Sequence, residues 1–471
     1  MAAIQAHMTN SPARPTASDG RFPGWLSFFA PAPAIPVLTD ASQIEQGFRR
    51  WRWKVLFWAT AGYAVYYFVR KNLSVAMPIM EQDLHITKDR LGMFLTFHGV
   101  LYGISKFIHG FFGDRCNARS LMFIGLAASA IFNVLFGFSS TVFALGFIWM
   151  LNGLVQGMGF PPCARLLTHW FTPQQLPTRM SVWNVSHCVG AIVILILCGR
   201  LVAYGWRICF FVPAAIAIVC SAILWLTLPD TPPSVGLPEI EGTQQSVLEA
   251  QADEEFSAIL WRHVFTNKYV WLVAIANFFV YTLRYAVFDW GPTILTQAKH
   301  IKIEHASWMV AGFEASGAIG ALLGGWLTSR FFGGRPMRAC IFFMVFALLS
   351  IFSFWKFSSD SKALNTALLC STGFFIYGPQ CLIGIAAANL ATKRAAATAV
   401  GLTGLFGYLS TVLSGWGLGT LVKHHGWDAG FAGLVVIAAI GIVVFALAWP
   451  AKAHGYSSLS SSSSSSSSTT D

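Results

Sequence analysis

The chain has 471 residues, of which 55% are hydrophobic and only 11% charged. A water-soluble protein carries about 25% charge, so the composition excludes a soluble globular fold and points to a polytopic, all-α membrane protein. The formal net charge of +11 does not require nucleic acid, because lysines and arginines gather beside membrane helices on the cytoplasmic side.

Residues 1–48 hold Pro, Ala and Ser with few charges, and they are predicted to form a mobile tail. No basic stretch is followed by a short apolar core and a cleavage site, so no cleaved signal peptide is expected. Arg49-Arg50-Trp51-Arg52-Trp53-Lys54 then reads as a basic, aromatic anchor at a cytoplasmic interface. Apolar periodicity predicts twelve membrane helices, near 54–79, 91–113, 120–139, 141–164, 180–199, 207–228, 269–293, 305–330, 338–356, 363–390, 394–421 and 427–450. They fall into two six-helix halves, 49–228 and 269–450. Between these, 229–268 is a polar cytoplasmic loop running from Pro229-Asp230-Thr231-Pro232-Pro233 to the acids Asp253, Glu254 and Glu255. Residues 451–471 end in a serine run with nothing to bury, predicted as disordered. Nine cysteines, with Cys198, Cys220 and Cys340 inside apolar runs, are odd in number and show no paired spacing. They give no disulfide or metal framework.

Positive charge alternates from loop to loop. Arg115 and Arg119 follow the second helix, Arg179 precedes the fifth, Arg330, Arg335 and Arg338 follow the eighth, and Lys393 and Arg394 follow the tenth. The opposite loops mix signs, as from Glu81 to Arg90, or are nearly uncharged, as around Ser139. Both termini are therefore predicted to be cytoplasmic.

Two short stretches carry the functional signal: Tyr66-Tyr67-Phe68-Val69-Arg70-Lys71 and Val280-Tyr281-Thr282-Leu283-Arg284-Tyr285. In each, a tyrosine precedes an arginine by three residues, on the same helix face. An arginine in mid-membrane costs roughly 2.5–3.5 kcal/mol on insertion scales. Two such costs in matching settings predict an anion bound between two halves. An internal repeat agrees. Arg330 in Gly325-Trp326-Leu327-Thr328-Ser329-Arg330 follows Arg115 in Gly110-Phe111-Phe112-Gly113-Asp114-Arg115 by the interval that separates Arg284 from Arg70, within one residue. The kinked Gly159-Phe160-Pro161-Pro162 and Tyr377-Gly378-Pro379 also correspond. These matches predict parallel halves with a site between them near the midplane. Guanidinium forks suit phosphate oxygens bidentately. Asp289, about 140° around the helix from Arg284, is free for another cation, and Lys71, about 100° from Arg70, needs an acid. Asn184 and His187 share a face, and the histidine could add positive charge when a dianion arrives.

The motif Gly110-x3-Asp114-Arg115-x3-Arg119 resembles the major facilitator superfamily signature after the second helix, with Asn117 where glycine is usual. More narrowly, Tyr67-x2-Arg70-Lys71-Asn72, Gly103-x2-Lys106-Phe107, Trp183-Asn184-x2-His187, Tyr281-x2-Arg284, Asp289-Trp290, Tyr377-Gly378-Pro379-Gln380 and Gly404-Leu405-Phe406-Gly407-Tyr408 resemble the bacterial organophosphate:phosphate antiporters, over roughly 48–450. Ala34 to Arg52 and Ala386-Ala387-Ala388-Asn389 lean toward that family's hexose-phosphate transporter and sensor branch. The resemblance implies that Arg70 and Arg284 clamp a substrate phosphate with His187 beside it. It further implies that Lys71 pairs with Asp289 and Glu314, that Lys106 is an additional cation, and that Tyr63, Tyr67, Tyr102, Tyr281, Tyr377 and Tyr408 line the path. Asp114 and Arg115 would belong to the gate.

Blander roles weigh against several residues. His98 and His109 fit packing or hydrogen bonding better than ligation, Arg165 could pair only with carbonyls near helix ends, and Gly99 and Gly103 suit close helix packing. No Gly-x4-Gly-Lys-Ser/Thr and no His-Glu-x-x-His occurs, so ATP drive and a zinc protease are not expected, and neither is a cofactor or an enzyme. The reading is a carrier of a bacterial inner membrane that exchanges a sugar phosphate, hexose 6-phosphate first, for inorganic phosphate, expected as a monomer in the bilayer. The alternatives are a sensor that reports external hexose phosphate to a membrane histidine kinase, and a glycerol-3-phosphate carrier.

Overall fold

A chain inside lipid must satisfy its backbone groups internally, and helices are the only regular elements among the described residues. The computed structural model describes residues 24–113, 116–172, 175–240, 261–357, 361–391 and 396–451. In chain order these contain α1 Ala41–Asp83, α2 Lys88–Gly113, α3 Ala118–Phe138, α4 Val142–Gln156, α5 Phe160–Trp170, α6 Leu176–Asn184, α7 Ser186–Leu201 and α8 Ile208–Thr227. There follow α9 Lys268–Gln297, α10 Ile303–Phe331, α11 Pro336–Lys356, α12 Lys362–Leu390, α13 Ala396–Leu409 and α14 Leu418–Leu447. Ten stretches of the described residues are long and apolar enough to cross a membrane, the last being the 50-residue run Thr398–Leu447. The chain is a multi-pass membrane protein.

Several predicted helices are broken or extended. The run expected over 141–164 stops at Gln156 and resumes at Phe160, across Gly157-Met158-Gly159. Pro161 and Pro162 then sit in the first turn of α5, where the missing amide costs nothing. The run expected from 180 starts at Leu176 and reaches Leu201, with a local distortion at Val185, whose φ −62° and ψ −22° stay helical. The runs expected over 394–421 and 427–450 form one path through a π-helical turn, Val412–Gly417, and bend at Gly426 with φ 76°, a conformation open to glycine without a Cβ clash.

The N-terminal side differs most from expectation. α1 begins at Ala41, capped by Asp40, whose carboxylate accepts from Ser42 N at 2.9 Å; that backbone hydrogen bond holds its pKa below the usual carboxylate value. Upstream, residues 28–40 lie against the ends of α3 and α8 instead of standing away as part of a tail. Asn117 N donates to Phe29 O at 2.8 Å, Ala32 N to Asp230 Oδ2 at 3.2 Å, and Ile35 N to Pro233 O at 3.0 Å. The Ser-rich run 457–471 and the central-loop acids Asp253, Glu254 and Glu255 lie outside the described residues.

Packing is mainly between neighbours within α1–α8 and within α9–α14. α1 lies against α7 and α8, α2 against α4, and α3 against α8, while α12 sits between α10 and α11, and α9 against α13 and α14. Three contacts join the groups: α7 with α10, α1 with α9, and α2 with the α13–α14 path. The α7–α10 seam is close, since a Cβ on Gly199 would lie 2.6 Å from Ser307 Cβ. A buried aromatic block, Phe136, Trp149, Trp206 and Phe210, fills the first group, with Phe136 and Phe210 stacked at 4.4 Å.

Candidate anion site

Arg70 and Lys71 follow a break in α1. Val69 leaves helical geometry, at φ −99° and ψ 16°. Asn133 Nδ2 of α3 and Asn152 Nδ2 of α4 both donate to Val69 O, at 2.8 and 2.9 Å. Gln156 Nε2 donates to Tyr66 O at 3.2 Å, and Asn72 Nδ2 to Asn133 Oδ1 at 2.8 Å. An unsatisfied backbone group in hydrocarbon costs several kcal/mol, so side-chain amides make the kink tolerable. The asparagines of α3 and α4 thereby hold the segment that presents both cations.

Arg70 is 8% exposed and stands over the rings of Tyr102 at 3.8 Å and Tyr67 at 5.1 Å. No ion pair among the described residues involves it. Its charge is met by aromatic faces, an attraction worth about 2 kcal/mol when desolvated. Arg284 on α9 is equally buried and donates from Nε to Tyr377 Oη at 2.8 Å. Its Nη2 lies 3.8 Å from Glu314 Oε1, and Tyr377 Oη donates to the same oxygen. Lys71 Nζ is 2.5 Å from Asp289 Oδ1, between the rings of Phe288 at 4.4 Å and Tyr285 at 4.9 Å. Its charge is therefore met on α9. Glu314, expected beside Lys71, meets Arg284 and Tyr377 instead, because α10 brings it behind the Tyr377 hydroxyl.

A cavity of about 310 Å³ lies between the groups, lined by Arg70, Arg284, Lys106, Asn184, His187 and the tyrosines Tyr63, Tyr67, Tyr281, Tyr377 and Tyr408. His187 Nδ1 donates to Asn184 O, and its Nε2 lies 3.3 Å from Cys188 Sγ. Lys106 Nζ sits 3.6 Å over the Phe160 ring and donates to Tyr408 Oη at 3.3 Å. Tyr102, expected on the path, is not in the wall. It lies beneath Arg70, its hydroxyl 3.4 Å from that of Tyr63 and its ring edge-on to Tyr408 at 4.9 Å. Asp114 and Arg115 lie outside the described residues.

Residues without an assigned role in the sequence also enter. Tyr285 shares its ring between Lys71 and Arg284. Gln380, three residues after Tyr377 and so on the same helix face, reaches the cavity wall with its Oε1 buried and unpartnered. Arg165 pairs with an acid as well as a carbonyl: Nη1 is 2.6 Å from Asp230 Oδ1 and 2.7 Å from Cys116 O. Ala118 N donates to the same carboxylate at 3.0 Å. A lone acid directly after an apolar helix was the only signal for Asp230.

The cavity is closed at the end that carries Glu81 to Arg90. There Gln297 Nε2 donates to Glu81 Oε2 at 2.8 Å, Lys423 Nζ lies 3.1 Å from Asp89 Oδ2, and Thr96 Oγ1 donates to Thr411 O at 2.7 Å. The backbones touch, since a Cβ on Gly92 would lie 2.5 Å from Gly415 O. Toward the other end Asn184 and Cys381 are exposed. Lys71 is neutralised by Asp289 and Arg284 shares Glu314, while Arg70 and Lys106 have no acid. The cavity is net positive and open at one end.

These features define a helical membrane protein built round a central chamber that suits an anion. Residues 59–415 match the Major Facilitator Superfamily. The glycerol-3-phosphate transporter of Bacillus subtilis is 38% identical over 90% of this chain and 98% of its own length. The probable hexose phosphate transport protein of Chlamydia trachomatis is 37% identical over 91% and 97%, and the membrane sensor protein UhpC of Escherichia coli 35% over 88% and 96%. In three dimensions the chain is similar to a bacterial homologue of the human lysosomal transporter Spinster in an inward-facing, occupied conformation, with TM-score 0.71, 15% identity and coverage of 84% and 97%. The nucleoside transporter NupG follows at TM-score 0.64, 14% identity and coverage of 84% and 100%; both likenesses concern the fold. The chain belongs to the Major Facilitator Superfamily, in the same family as these organophosphate transporters and sensors.

Proposed function

We propose that the protein exchanges a phosphate ester, hexose 6-phosphate first, for inorganic phosphate by alternating access. The observation that carries this is Arg70, a buried guanidinium without an acid, on the wall of a cavity that also presents Arg284. A guanidinium in that position is costly unless an anion joins it, and two planar forks suit one phosphate. The tyrosines and Gln380 leave room for a hydroxylated organic part. α1 supplies one crossing beyond those counted by apolarity, and the bend at Gly426 divides Thr398–Leu447 into two. On this reading twelve crossings form two six-helix halves with both termini cytoplasmic, in the inner membrane, and the open end faces the cytoplasm. The superfamily match and the transporter relatives favour a carrier over an enzyme.

Exchange follows from the empty site. Two guanidinium charges brought to about 10 Å of each other would repel by roughly 1.7 kcal/mol at an effective dielectric near 20, and desolvation adds to that as the halves close. A bound phosphate offsets both, so loaded forms reorient and the empty form stalls. Liposomes preloaded with phosphate are expected to take up labelled hexose 6-phosphate, and empty liposomes are not. Equal uptake into empty liposomes overturns exchange. The 35% identity to the sensor UhpC supports a second reading, a receptor with the same site and a membrane histidine kinase as partner. Ligand binding without uptake under any condition selects it. Preference for glycerol 3-phosphate over hexose 6-phosphate would select the third.

A further inference from the structure

Outside the central cavity, positive charge collects where α10 ends, α11 begins and α14 ends. Phe331, Phe332, Gly333, Arg335, Arg338 and Trp449 border an open cleft of about 540 Å³ there. The turn is made by Gly333 and Gly334 at φ 59° and 71°, so its floor is bare backbone in a conformation that glycine adopts freely. The Arg338 guanidinium stands 4.7 Å over the Trp449 ring, and its Nε is buried with no hydrogen-bond partner. No ion pair among the described residues involves Arg330, Arg335 or Arg338. The residue that caps α11 is Arg335 itself, whose side chain offers no oxygen to the first-turn amides. The polar groups of this pocket's side chains are all donors, and each of those side chains is cationic or aromatic.

Phe331 is 66% exposed and Trp449 47%, beside Trp326 at 59%, an aromatic collar of the kind that marks a membrane–water interface. A soluble anion would meet the arginines but leave the rings uncovered. A neutral lipid would cover the rings but leave Arg335 and Arg338 without a counter-charge. An amphiphile with an anionic headgroup satisfies both. We propose that this pocket is a binding site for the headgroup of an anionic phospholipid, its phosphodiester held by Arg335 and Arg338 and its glycerol and first acyl carbons laid on Phe331, Phe332 and Trp449. The site is remote from the central cavity and does not depend on the transport reading.

Each arginine at an anionic surface contributes roughly a fivefold gain in binding, so loss of both is expected to reduce retention by about twenty-five-fold. The purified protein, as wild type and as the double variant Arg335→Gln/Arg338→Gln, is titrated with phosphatidylglycerol or phosphatidylcholine, and bound lipid is counted by native mass spectrometry on the folded, monodisperse fraction. Arg330→Gln removes the same kind of charge at the same end but outside the pocket. Expected is selective retention of phosphatidylglycerol by wild type and Arg330→Gln, and loss in the double variant. Inorganic phosphate at matched concentration is expected not to displace phosphatidylglycerol from it. Equal retention by wild type and the double variant, equal loss in Arg330→Gln, or full competition by inorganic phosphate each overturns the site.

Discussion

Asp289→Asn separates a structural ion pair from a merely adjacent one. Lys71 Nζ and Asp289 Oδ1 are 2.5 Å apart, both residues are under a tenth exposed, and they join α1 to α9. The Phe288 and Tyr285 rings also face the ammonium; they attract a cation but do not replace a carboxylate. Removing one partner of such a pair leaves an uncompensated buried charge and costs about 3–5 kcal/mol, whereas replacing both with apolar residues of similar size is close to neutral. Asp289→Asn is therefore expected to destabilise by about 3–5 kcal/mol. The double variant Lys71→Met/Asp289→Leu should recover most of that, which gives a large coupling in the four-member cycle. Denaturant titration of the purified protein in one detergent measures all four. If Asp289→Asn lies within about 1 kcal/mol of wild type, or if the double variant is as unstable as the single, the pair does not hold the two groups together in this state.

Arg70→Lys and Arg284→Lys keep the charge but lose the planar fork; each is expected to weaken phosphate binding by at least tenfold, since a charge-assisted hydrogen bond is worth about 1.5–3 kcal/mol, with membrane insertion unchanged, as read by equilibrium binding of labelled phosphate. Gly92→Ala puts a Cβ 2.5 Å from Gly415 O, a backbone atom that cannot swing aside, so the closed end should open. In a background without native thiols, Thr96→Cys should then react faster with an impermeant thiol reagent, and an unchanged rate refutes the role of that contact. Asp230→Asn strips the charge that faces Arg165 and two backbone amides. It should destabilise by about 3–5 kcal/mol and speed proteolysis within 28–40, and intact protection there would show that this segment is held by other contacts.

Much of this architecture was written in the apolar runs, because hydrocarbon tolerates few charges and so spaces them visibly. The break before α5 was legible in Gly157, Gly159, Pro161 and Pro162. The slight distortion at Val185 was not, since its dihedrals stay helical and nothing near it is a helix breaker. The start of α1 at Ala41 was hidden because Asp40 caps a polar, lipid-free turn that hydropathy passes over. Lys71 and Asp289 could be inferred as partners from the cost of burying either alone. The partner of Glu314 could not, because its choice of Arg284 and Tyr377 depends on how α10 and α12 turn toward α9. The family resemblance put Tyr102 on the path, whereas packing places it under Arg70 as the face of a cation–π contact, which one-dimensional spacing does not encode. The amides of Asn133 and Asn152 drew no notice in the sequence, since their task arises only once Val69 gives up helical geometry.

The central claim is that the paired arginines recognise the phosphate end of the ligand. Competition against labelled inorganic phosphate on purified wild-type protein measures it with no membrane gradient involved. Hexose 6-phosphate and unlabelled phosphate are expected to displace the label, and free glucose at the same concentration is not. Displacement by free glucose as effective as by hexose 6-phosphate, or label bound equally well by the protein with Arg70→Lys and Arg284→Lys combined, would contradict it.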